Sequence, residues 1–140
     1  MREIIFRGQR KDNKEWVEGY LVRCGEDLED CFIFPPAGVL GLHDNDYGLG
    51  FYNAVEVILE TVGQYTGLKD KNGRMIFEGD VCCNTKTGEI VSIQWHGTMA
   101  GYIWHKRKGN SYLFDFGALF RAFDKYEVIG NIHDNPELLE

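Results

Sequence analysis

Apolar and polar positions alternate over short runs through most of the chain, the period-two signature of strands with one buried face. Residues 4–7 and 16–22 flank the polar turn Lys11-Asp12-Asn13-Lys14 and predict a first hairpin. An acidic stretch, residues 25–30, reads as a surface loop. Residues 31–34 form a short apolar run stopped by Pro35-Pro36. Residues 37–53 hold five glycines among Asp and Asn and predict a long irregular loop. Residues 55–59 resume as a strand.

The second half carries clearer punctuation. Residues 62–68 lead into Asn72-Gly73, a strong turn signal because both residues tolerate positive φ. Strands are expected at 75–78 and 81–84. From 89 to 96, Val91, Ile93 and Trp95 alternate with Ser92, Gln94 and His96, a half-buried strand. Residues 97–101 turn the chain back onto 102–106, and 112–114 are apolar again. Phe116, Leu119, Phe120 and Phe123 then fall at helical spacing, with Asp115 placed to cap the start, so one short helix is expected near 115–123. A strand over 126–132 follows, and Asn135-Pro136 predicts a final helical turn.

These elements predict a mainly β protein. The C-terminal half, 61–140, reads as an SH3-like barrel, with its short helix before the last strand. Residues 1–60 read as a β-rich N-terminal lobe packed with it. The composition supports a buried core, since 44% of the 140 residues are hydrophobic and 14% aromatic. No apolar run approaches the roughly 20 residues of a membrane helix. Residues 1–11 are too charged for a signal peptide, so a cytoplasmic protein with no membrane partner is expected. Charge narrows the partners. The net charge is -7, and residues 1–60 hold 12 acidic against 6 basic side chains, where 61–140 hold 10 against 9. A phosphate-gripping protein needs a basic face, and only a local patch in the second half is available.

Few residues arrange themselves for chemistry. Cys24, Cys31, Cys82 and Cys83 are expected as thiols; Cys82 and Cys83 are adjacent, so a strand sends them to opposite faces. Cys24 and Cys31 lie outside the usual zinc spacing. His96 and His105 flank a turn and would face each other across a hairpin, but further ligands are lacking, so no metal and no cofactor are expected. His43, Asp44 and Asp46 lie in a candidate binding loop, although Asn and Asp beside glycine are also what a tight turn uses. No nucleophile elbow and no phosphate-binding glycine loop occurs, which predicts a non-enzyme. Trp104, Lys106, Arg107, Lys108 and Tyr112 interleave aromatic and basic side chains, a candidate surface for stacking bases and tracking phosphates. In a barrel the same pattern serves as core aromatics and solvated charges, and that reading carries more weight.

Residues Val62-Gly63-Gln64-Tyr65-Thr66-Gly67-Leu68-Lys69-Asp70-Lys71-Asn72-Gly73, continuing through Ile76-Phe77-Glu78-Gly79-Asp80-Val81, resemble the YopX family of phage and prophage proteins. The opening Met1-Arg2-Glu3-Ile4-Ile5-Phe6-Arg7 and the close Tyr126-Glu127-Val128-Ile129-Gly130-Asn131-Ile132 with Asn135-Pro136-Glu137-Leu138-Leu139 resemble the same family. The resemblance implies a β-rich fold with an SH3-like barrel and expression inside a bacterial host. It implies no activity and transfers no site residues. The motif itself reads structurally: Asn72-Gly73 as a turn, Gly67 and Gly79 as tight bends, Gly130 as a close approach, and Asp80 as a cap on nearby backbone. The expected function is accordingly an accessory protein acting by contact with a host or phage protein, as a homo-oligomer; a nucleic-acid-associated module is the alternative.

Overall fold

In the computed structural model, residues 1, 3–36, 40–42, 49–51, 54–106 and 123–140 are described. They are built from short antiparallel strands, and the chain divides into two compact units, residues 3–64 and residues 65–140 with residues 1–2.

In residues 3–64, β1 (Phe6–Gln9), β2 (Trp16–Cys24), β3 (Asp30–Phe34) and β6 (Val55–Glu56) lie in the order β6-β3-β2-β1, and the start of β7 (Gly63–Lys69) pairs with the outer side of β1. Strict alternation sets the buried face. Cys31 and Ile33 point inward from β3 onto Val57, with Phe6, Val17 and Leu21 packed around them. Gly19 is required where β2 meets β3, because a Cβ there would sit 2.6 Å from the Phe34 carbonyl carbon. The expected strand at 55–59 is cut short. Val57 makes only an isolated bridge with Arg10. The chain then tightens into a 3-10 turn, Leu59–Thr61, where the Thr61 hydroxyl donates to the Ile58 carbonyl and accepts from Gln9 N–H. A threonine side chain that satisfies local backbone competes with strand pairing in this way. The loop expected over 37–53 is also corrected, since β4 (Leu40–Leu42) and β5 (Leu49–Phe51) pair antiparallel within it.

In residues 65–140, β7 continues against β8 (Met75–Phe77), and β9 (Asp80–Asn84), β10 (Ile90–His96), β11 (Gly101–Lys106) and β12 (Tyr126–Asn131) form a sheet in the order β11-β10-β9-β12. Its core joins Ile76, Cys82, Val91, Ile93, Trp104, Tyr126 and Val128. A 3-10 turn, Phe123–Lys125, precedes β12, and the expected terminal turn is the 3-10 segment Pro136–Leu139. The helix expected near 115–123 lies outside the described residues apart from Phe123. The described strands are mainly β and antiparallel, and among the described residues they close into no barrel.

Two aspartates hold this unit's turns. Asp80 is fully buried and its Oδ2 accepts from Phe77 N–H at 2.8 Å, the backbone cap its position suggested. Asp70 does more. Its Oδ1 accepts from the N–H groups of Asn72 and Arg74, and its Oδ2 reaches Val128 N–H on β12 at 3.0 Å. Gly73 takes the positive φ of +81° that closes the same turn, whereas Asn72 keeps an ordinary φ.

Candidate functional surface

β10 and β11 form a six-pair antiparallel hairpin from Val91↔Lys106 to His96↔Gly101. The residues joined across it share a face, so Val91, Ile93 and Trp95 stand with Trp104 and Tyr102. The inner part of that face is core. Trp104 is only 6% exposed and packs edge-on against Tyr126, with ring centroids 4.8 Å apart. Tyr126 donates its hydroxyl to Glu89 at 2.7 Å, and burial together with that bond pushes its pKa up to about 12. The face then outruns the core. Trp95 is 49% exposed, braced edge-on by Tyr102 at 5.1 Å.

Beyond Trp95 the chain reverses through the 3-10 turn Gly97–Met99, with Ala100 held at φ +49°. The charge pattern of this hairpin is distinctive. From residue 90 to residue 105 there is no Lys, Arg, Asp or Glu, in a chain where those types make up 26% of positions. The depletion continues on the second face, where Ser92 is buried and accepts from Gln94 at 3.2 Å.

The residues singled out from the sequence are placed differently from one another. Trp104, offered as a stacking ring, is a core aromatic, because its partner across the hairpin is the buried Ile93. Lys106 ends β11 opposite Val91. Arg107, Lys108 and Tyr112 lie outside the described residues, as do His43, Asp44 and Asp46. His96 and His105 are not opposed as expected: His96 pairs with Gly101 and His105 with Ser92, four rows apart, which is roughly 13 Å along a strand. Among the described residues no cluster of three His, Cys, Asp or Glu is suited to a metal. All four cysteines are thiols; Cys82 is buried while its neighbour Cys83 is half-buried, as opposite faces require. Among the described residues, no helix is long and apolar enough to cross a membrane.

Trp95 was legible in the sequence only as one more apolar strand position. Alternation assigns it to the buried side with Val91 and Ile93. The signal that separates it is the absence of charge around it, which a period-two count does not register.

The two antiparallel units and the uncharged hairpin with its exposed tryptophan define a mainly β protein with a surface suited to contact and no assembled reaction centre among the described residues. The chain belongs to the YopX protein family, which it matches over residues 5–140. Its fold is similar to the crystal structure of protein EF1440 from Enterococcus faecalis, at 26% sequence identity and a TM-score of 0.56, over 100% of both chains. No curated protein matches it.

Proposed function

We propose that this YopX-family chain is a non-enzymatic accessory protein of a phage or prophage, working in the cytoplasm of the bacterial host through protein–protein contact as a homo-oligomer. The observation that supports this most directly is the half-exposed Trp95 in a stretch without formal charge. Interface cores are depleted in charged residues and enriched in aromatics, and a rigid ring with few rotamers loses little entropy on contact. The charge of the rest of the molecule favours the same reading. Residues 3–64 hold 12 acidic and 5 basic side chains, whereas residues 65–140 with residues 1–2 hold 10 of each. The full net charge of -7 therefore sits in one unit, which repels phosphate and leaves the other neutral.

The unit at 65–140 is read as an SH3-like barrel. The order β12-β9-β10-β11 with a 3-10 turn before the final strand supports that arrangement. Sedimentation equilibrium across a concentration series tests the functional reading: a mass that rises to a multiple of the chain is expected, and a constant monomer mass overturns it. Nucleic-acid titration at low salt, with wild type and with Lys106, Arg107 and Lys108 each replaced by Ala, tests the alternative; wild-type binding lost in the triple variant would replace the present reading.

A further inference from the structure

We infer that the exposed end of the β10–β11 hairpin, centred on Trp95, is where a second copy of this chain docks. This rests on the homo-oligomer reading above and goes beyond it by assigning the interface. Three observations converge on the same few residues. Trp95 presents half its surface to solvent, though it continues the face that Ile93 and Trp104 bury. Its orientation is fixed in advance by the edge-on contact with Tyr102. The sixteen positions from 90 to 105 carry no formal charge, and the turn beside Trp95 exposes Gly97 and Thr98.

Charge selects the occupant. Two copies each carry -7, concentrated in residues 3–64, so an approach through that unit sets like charges against each other. An approach through the hairpin does not. A strongly basic or acidic partner gains no ion pair from an uncharged surface, whereas a second uncharged hairpin matches it in kind. An isologous contact places the same patch on both sides, so each Trp95 is used twice in one interface. Nothing lies within 4 Å of where a side chain on Gly97 would point, which leaves space beside the ring for a partner's aromatic edge.

The test is sedimentation equilibrium of wild type, Trp95→Glu, Thr98→Glu and, as a control on the other unit, the exposed Tyr20→Ser. Trp95→Glu and Thr98→Glu are expected to raise the dissociation constant by about thirtyfold or more, the scale of an interface hot spot, while Tyr20→Ser leaves it unchanged. Thr98 is an exposed turn residue outside the core, so its variant keeps the test open if Trp95→Glu fails to fold, which circular dichroism reports. Wild type that self-associates with undiminished strength in both hairpin variants overturns the assigned face and leaves the homo-oligomer reading standing. Wild type that stays monomeric overturns both.

Discussion

Asp70 is the side chain on which the C-terminal unit's turn geometry depends. Burial alone would push its carboxyl upward, but three backbone N–H bonds, from Val128, Arg74 and Asn72, outweigh that and hold its pKa below the usual carboxylate value. A folded-state pKa lowered in this way adds stability that is complete above the unfolded value, near 3.9, and is lost as pH falls through the folded value. Asp70→Asn leaves one oxygen and turns an amide nitrogen toward an N–H donor. The variant is expected to lose about 1–3 kcal/mol near neutral pH. The gap to wild type should narrow as pH falls below about 4, where wild type loses the same charge. Urea unfolding followed across pH measures both, and a gap independent of pH would show that the carboxylate charge is not what matters. Gly19 makes a second residue-scale test. Gly19→Ala forces the Phe34 carbonyl on β3 to move, so a loss of roughly 1–3 kcal/mol is expected in denaturant unfolding; a neutral substitution would mean that the β2–β3 contact gives way easily.

At the scale of elements, β9 is the strand with a partner on each side, β10 and β12, and its Val81 and Cys82 are fully buried. Its amides are expected to exchange slowest with solvent, because opening them requires parting two ladders. Hydrogen exchange read by residue checks this; faster exchange in β9 than in β2 would locate the most stable element in the other unit. The elements themselves were largely legible. Hairpin turns at 11–14 and 70–74 are written in Asp, Asn and Gly, and alternation at 89–96 predicts β10 to within a residue. Legibility failed where a side chain redirected the backbone. Thr61 ended the strand after Val55–Glu56, and the glycines of 37–53 concealed the β4–β5 pair. The candidate surface was only half legible, because Trp95 and Trp104 occupy the same face by period and differ only in how far the core extends beneath them. Sequence alternation gives the face and is silent about that reach.

At the scale of the whole molecule, the separation of charge between the units sets how association should respond to salt. Residues 3–64 carry the entire net charge, while residues 90–105 carry none. An interface built on the hairpin therefore contains no ion pair for salt to weaken. The only long-range electrostatic contribution is repulsion between the acidic units, and the screening length shrinks from about 30 Å at 0.01 M to about 10 Å at 0.1 M salt. Association through the hairpin is thus expected to hold constant or tighten as salt rises over that range. Binding of nucleic acid through the basic run at 106–108 would do the opposite, since displacing condensed counterions makes affinity fall steeply with salt. A salt series of sedimentation runs on wild type separates the two from one protein preparation. A mass that falls as salt rises would indicate ionic contacts, directing attention from Trp95 to the acidic and basic side chains; a mass that persists or grows would favour the uncharged hairpin.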